Sequence, residues 1–133
     1  MLVVDASIAV KWFKPDEKSS RADFFLQEHL AGRESIFVPV LVIYEVTNAL
    51  WVSRRLSRAE IEDALRLLAS SRLTYVPPDD PLLADSLAIS EKTKLSIYDA
   101  SYLALARRME CGLATADRKL ARNAKGMAKI ILL

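Results

Sequence analysis

The sequence predicts an α/β fold of three layers, α/β/α, built on a central, mostly parallel sheet in the Rossmann-like manner. Two patterns carry this expectation. Short runs that are apolar throughout, such as Leu2-Val3-Val4 and Ile36-Phe37-Val38, recur along the chain. Strands of that kind belong to sheets buried on both faces. Between them lie longer stretches with helical spacing of apolar residues, which implies crossovers returning each strand parallel to the last. The 133 residues suit one domain over 1–133, large enough to bury a core without disulfides or structural zinc.

Each element has its own local warrant. A first strand over residues 2–4 ends at Asp5, and a short helix through Trp12 and Phe13 is stopped by Pro15. A second helix spans about 20–30, ending near Gly32. Residues 36–38 form a buried strand, with Pro39 close to the first turn of a helix that carries Val42, Val46, Ala49 and Leu50 on one side. Ser57 and Glu60 form a capping-box pattern, followed by Ile61, Ala64, Leu65 and Leu68 at helical spacing. A third strand over 73–76 is closed by Pro77 and Pro78. Helices are expected over roughly 82–92 and 98–109, a fourth strand over 113–115, a short basic helix opened by Asp117, and a last strand over 130–132.

Composition excludes several classes. With 52% hydrophobic and 27% charged residues, the chain is a folded one rather than a disordered one. No apolar run approaches the ~18 residues of a membrane span. The N-terminus has no basic n-region, so a cytoplasmic location without export is expected. The single cysteine, Cys111, cannot form an internal disulfide and fits a reducing compartment as a core residue. The net charge of +2 is small, but its distribution is uneven. Residues 107–129 carry Arg107, Arg108, Arg118, Lys119, Arg122, Lys125 and Lys129 against only Glu110 and Asp117, and Arg54, Arg55 and Arg58 form a second cluster. Solvated helix faces account for such runs; so does an enzyme that draws a polyanion toward an acidic centre.

That acidic centre has four candidates: Asp5, Glu45, Asp99 and Asp117. Taken singly, three have a structural explanation. Asp5 and Asp117 lie between a strand and a helix, where aspartate caps helix N-termini. Asp99 stands three residues after Ser96, the reciprocal place of a capping box. Glu45 lies within an apolar helix with no cation at i+4, where Ala49 sits. The joint pattern decides, because all four fall toward the carboxyl edge of the sheet, where ligands bind in folds of this class. Carboxylates within ~5 Å repel by about 3 kcal/mol per ionised pair at an effective dielectric near 20. Such a cluster needs protons or a cation. All-oxygen donors select magnesium or manganese. His29 is in another helix and is read as surface or locally satisfied, and Trp12 and Trp51 as core or interface anchors, with burial favoured over an interface role for Trp51.

The residues around these acids carry a resemblance. Val3-Val4-Asp5-Ala6-Ser7, Val38-Pro39 through Tyr44-Glu45 to Asn48-Ala49-Leu50, Tyr98-Asp99-Ala100 through Leu105-Ala106, and Leu113-Ala114-Thr115-Ala116-Asp117 together resemble the PIN-domain ribonucleases. More narrowly, the chain is similar to VapC-type toxins of toxin–antitoxin pairs. The resemblance implies magnesium- or manganese-dependent endoribonuclease activity on single-stranded or structured RNA, a VapB-like cognate antitoxin, and a homodimer or higher homo-oligomer. It places the family's acidic tetrad on Asp5, Glu45, Asp99 and Asp117, as metal ligands and catalytic groups. Its polar accessory positions fall on Ser7 and Thr115, with Asn48 near them, and Arg118 is the expected contact to the RNA backbone. Ser7 and Thr115 have two roles open, binding phosphate or holding a carboxylate. Residues 53–81 carry no motif of the family. Two other readings exist: an aspartate-based phosphohydrolase or receiver, and a PIN-like module that binds RNA or protein without cutting. The first lacks a second aspartate two residues after Asp5, where Ser7 stands. The second has no need of all four acids.

Overall fold

The computed structural model describes residues 1–133. Five strands form one sheet: β1 (Leu2–Val4), β2 (Ile36–Pro39), β3 (Thr74–Val76), β4 (Gly112–Thr115) and β5 (Ile130–Leu132). Their spatial order is β3-β2-β1-β4-β5, and every neighbouring pair is parallel. The chain therefore builds outward from β1 to β3, then returns to the other side of β1 with β4. Right-handed crossovers put the helices between β1 and β3 on one face and those after β3 on the other. The point where direction reverses lies between β1 and β4.

Seven helices cover the sheet: α1 (Ala6–Ala9), α2 (Ser20–Leu30), α3 (Val42–Val52), α4 (Arg58–Ser70), α5 (Asp80–Thr93), α6 (Ile97–Arg108) and α7 (Arg118–Asn123). The short α1 continues as a 3-10 turn over Val10–Trp12. Helix α6 packs against β1, β2 and β4 with α5 outside it. Every residue from Ala100 to Ala106 is consequently buried. Its alanines let the helix lie close to the strands. Val3, Val4, Val38, Val46, Leu50, Leu103 and Leu113 belong to a core of 29 buried apolar residues that spans both faces of the sheet.

Local chemistry explains where expectation and structure differ. Pro39 is the last residue of β2, paired with Val76, rather than part of the following helix; a proline is tolerated at a strand's end, where its missing N–H costs no ladder bond. Helix α5 begins two residues earlier than expected. The Asp79 side chain accepts the Leu82 N–H at 2.8 Å, and Pro81 suits the first turn. The Ser57–Glu60 box is complete, with both reciprocal bonds made. Trp51, expected to be buried, is 52% exposed. Buried Val42, Val46 and Leu50 already form the inward stripe of α3, and Trp51 falls about 100° off it. The Arg54 guanidinium covers its ring at 4.9 Å. Cys111 is only partly buried, packed at the margin of the core, and burial pushes its thiol pKa up. His29 Nδ1 accepts the Ile36 N–H at 3.2 Å. No helix is long and apolar enough to cross a membrane.

Candidate active site

The carboxyl ends of β1 and β4 lie side by side, Val4 opposite Ala114. The Asp5 N–H extends the pairing to the Ala114 carbonyl at 3.1 Å. Asp5 is thereby fixed at the reversal point of the sheet, the place where parallel α/β folds open a crevice. It is 5% exposed. Its side chain caps α1 by accepting the Ile8 N–H at 3.2 Å. Two hydroxyls also donate to it, Ser7 Oγ to Oδ1 and Thr115 Oγ1 to Oδ2, each at 2.5 Å.

Neither hydroxyl is free to do otherwise. Ser7 Oγ accepts the Ala116 N–H at 2.8 Å, and Thr115 Oγ1 accepts the Asp117 N–H at 2.9 Å. A hydroxyl has one proton, so each backbone amide leaves that proton pointing at Asp5. The two amides after β4 thus set the orientation of an acid after β1. Of the two roles open to Ser7 and Thr115, the observed geometry is that of holding a carboxylate. Thr115 is completely buried.

Asp117 caps α7, its Oδ1 accepting from the Lys119 and Leu120 amides at 2.7 and 3.1 Å. Its Oδ2 accepts no hydrogen bond from the protein. Glu45 lies in the first turn of α3, and its Oε2 accepts the hydroxyl of buried Tyr102 on α6. Asp99 also lies on α6. Ser96 Oγ accepts the Asp99 N–H at 3.0 Å, but the reciprocal half of the box is missing, and the Asp99 carboxylate accepts nothing from the protein. The contrast with Glu60 matters: Glu60 spends its carboxylate on its cap, at 2.7 Å to the Ser57 N–H, and Asp99 does not.

Electrostatics link the four acids in one field. Desolvation raises the Asp5 pKa above its ordinary value, against three hydrogen bonds that lower it, and the charge of Asp117 adds to the rise. Desolvation likewise raises Glu45, against the Tyr102 hydrogen bond, and the charges of Asp99 and Asp5 push in the same direction. Burial, and the negative field of Glu45, Asp5 and Asp99, raise the Tyr102 phenol strongly. It remains a donor.

No three Asp, Glu, His or Cys side chains converge as a ready-made metal cage. The donor chemistry nevertheless fits a hard divalent cation. All four candidates offer oxygen alone, which suits magnesium or manganese. Magnesium retains several waters and uses one or two carboxylates, so a closed protein cage is not required.

A groove of about 500 Å³ adjoins the acids, lined by Ser7, Lys11, Lys14, Glu17, Glu45 and Asn48 among others, with the Lys14 ammonium ion-paired to Glu17. Asn48 is therefore placed beside Glu45. Arg118 is exposed at the start of α7 and hydrogen-bonds to none of the acids. Lys11, Lys14 and Tyr102 are site residues that the sequence reading passed over. Tyr102 had a signal, three residues after Asp99 and so on the same helix face. The lysines had none, because the 3-10 turn after α1 that brings them round is not written in the apolar spacing.

Against known proteins, the family model described as PIN domain matches residues 2–126. The chain belongs to the PIN-domain family. Among curated PIN relatives, Ribonuclease VapC3 of Pyrobaculum aerophilum is 31% identical over 92% of this chain and 93% of its own length. Ribonuclease VapC9 of Mycobacterium tuberculosis is 32% identical over 98% and 96%. Exonuclease VapC9 of Pyrobaculum aerophilum is 36% identical over 71% of each. The crystal structure of PAE2754 from Pyrobaculum aerophilum superposes with a TM-score of 0.70 at 29% identity, over 97% of this chain and 82% of that one. The PIN fold is shared with a toxin–antitoxin complex from Klebsiella pneumoniae at a TM-score of 0.73 and 18% identity, covering 98% and 96%. The expected α/β/α architecture and the PIN resemblance are both borne out.

Proposed function

We propose that this PIN-domain protein is a magnesium- or manganese-dependent endoribonuclease and the toxin of a toxin–antitoxin pair, with Asp5, Glu45, Asp99 and Asp117 as its working acids. The observation that carries this reading is the Asp5 carboxylate, held by two amide-locked hydroxyls at the reversal point of the sheet and coupled by charge to Glu45 and Asp117. Relatives named as VapC ribonucleases support the substrate. A structural neighbour described as a toxin–antitoxin complex, and another described as VapBC2 bound to a DNA fragment, support an antitoxin of the VapB kind as partner.

Asp5 and Asp99 would hold a divalent ion, with Glu45 and Asp117 completing the negative field. When bound, the ion supplies Lewis-acid stabilisation of phosphoryl oxygens and a water of lowered pKa. The chain's own groups do the rest. Ser7 and Thr115 keep the Asp5 carboxylate in one rotamer, so no reorganisation accompanies substrate entry. Tyr102 occupies Glu45 Oε2, which leaves Oε1 to orient a water or hold a proton. Lys11, which has no ion-pair partner, attracts the phosphate backbone into the groove, Asn48 offers an amide to a phosphate or ribose there, and Arg118 is a further backbone contact.

One relative is named an exonuclease, so the mode of cutting is tested directly. A covalently closed circular RNA should be linearised in magnesium and left intact in EDTA or by Asp5→Asn and Asp99→Asn. Shortening of linear RNA with no attack on the circle favours exonucleolytic action. Equal cutting by Asp5→Asn overturns the mechanism. The toxin role predicts growth arrest on expression in a cytoplasmic setting, relieved by a small DNA-binding protein encoded next to this gene. Light scattering tests for the homodimer or larger assembly.

A further inference from the structure

The positive charge of the chain is concentrated and largely unpaired. Residues 107–129 hold seven cations and two acids, a net of +5, while the whole chain is +2, so the other residues sum to −3. Within that segment only Arg108 has an ion-pair partner, Asp79. Helix α4 differs: its exposed Arg58 and Arg66 each pair with Glu62 or Asp63 one turn away. Interleaved signs of that kind are what a solvated helix face displays. On α7 and the turn after it, Arg118, Arg122 and Lys125 are exposed and pair with nothing.

Helical spacing aligns these three. Leu120 and Ala124 are buried, and half-buried Met127 continues their stripe. The chain keeps curling past Asn123, because the Lys125 and Met127 amides donate to carbonyls three residues back. Arg118, Arg122 and Lys125 each stand two positions before a member of that inward stripe, about 200° round the axis, and so share the outward face. The helix itself gains nothing from a cation at its first residue, where the dipole favours acids, and its first turn carries none. Asp117 directly precedes Arg118. From there α7 runs back along β4 and β5 toward the amino edge of the sheet. At that edge Arg107 and Lys129 line a cavity of about 580 Å³ with Glu110, which pairs with neither. The row of cations therefore leads away from the acids in one direction, down one flank of the molecule.

We propose that the outward face of α7 is a track for the RNA backbone, on which Arg118, Arg122 and Lys125 hold phosphates and lead the strand from the acidic centre toward Lys129. This rests on the ribonuclease reading above and adds the course of the strand beyond the cut. The face grips without reading sequence, since phosphate contacts carry none. Asn123, the one amide on α7, donates to the Thr93 carbonyl instead. Because the track leaves the acids in one direction, added length on one side of the cut strengthens binding.

The test maps a cut site with the unsubstituted protein, then measures binding in the Asp5→Asn background so that nothing is cut. The probes are RNAs of about 5 and about 20 nucleotides centred on that site. For the long RNA, Arg122→Gln and Lys125→Gln should each lower the slope of log affinity against log salt by roughly 0.7–1. Binding of the short RNA should stay within two-fold. Trimming the long RNA from one end should erase the effect, and trimming from the other should not. Arg66→Gln on α4, a cation already paired, should alter no slope. Unchanged slopes in both track variants overturn the track, and so do losses equal for short and long RNA or equal for trimming at either end. A change in oligomeric state by light scattering also overturns it, placing this face between copies of the chain. Each of these results, with cutting by the unsubstituted protein intact, leaves the nuclease standing. No cleavage by the unsubstituted protein removes the ribonuclease reading and the track with it.

Discussion

The Tyr102 hydroxyl donates to Glu45 across 57 residues of chain, so the acid of α3 is held by the helix that carries Asp99. Tyr102→Phe keeps the buried ring and removes only the donor. Cleavage should fall about ten-fold in kcat with KM nearly unchanged, because Glu45 loses its fixed orientation but the groove is untouched. Manganese affinity by calorimetry should fall as well. An unaltered kcat would mean that Glu45 needs no tether.

Asp5 and Glu45 both take up protons more readily in the folded chain than at their ordinary values of 3.8 and 4.5. A raised folded pKa adds stability that is fully present below those values and is lost as pH rises through the folded pKa. In EDTA, Glu45→Gln should therefore melt higher than the unsubstituted protein at pH 7.5, by a few degrees, and the gap should close toward pH 4. Glutamine keeps an acceptor for Tyr102. Magnesium should narrow the gap at pH 7.5 by stabilising the unsubstituted protein. A gap that is absent or reversed at neutral pH would show that the acids do not burden the fold.

Thr115→Val removes a buried hydroxyl that serves Asp5 and the Asp117 amide together. The expected cost is about 1–3 kcal/mol in chemical denaturation, with manganese affinity lowered about 10–100-fold. Loss of stability alone, with metal affinity intact, would reduce Thr115 to a core residue.

Lys11→Gln should weaken RNA binding uniformly across sequences and reduce the slope of log affinity against log salt by about 1, since one phosphate contact is lost. An unchanged slope would place the phosphates elsewhere, with the basic run of residues 107–129 as the next surface to probe.

Ser57→Ala removes one half of the complete capping box of α4, which makes no hydrogen bond to the acids. It should cost about 0.5–2 kcal/mol of stability and leave cleavage at temperatures well below melting unchanged. Lost activity in a folded variant would tie α4 to the site.

Much of this organisation was legible in the residue order, for identifiable reasons. Strands apolar at every position, as in Leu2-Val3-Val4, announce a sheet covered on both sides, and the Ser57–Glu60 box announces its helix through chemistry confined to four residues. Asp5 and Asp117 were legible as neighbours because the ends of β1 and β4 lie side by side in a parallel sheet. What stayed hidden depends on contacts between distant segments. The Thr115 hydroxyl has its direction set by the Asp117 amide, which no spacing reveals. The exposure of Trp51 followed from a helix with more apolar residues than one face can bury. The partner of Glu45 came from another helix altogether.

Enclosed on every side from Ala100 to Ala106, α6 behaves as a fixed axle for the molecule. Bulkier residues have no space to enter there, so variation in what the site accepts must be written on the rims, in α1, α3 and the turn before α6. The deepest helix is thereby the least negotiable part of the molecule, and the residues it anchors can outlast many changes at the surface.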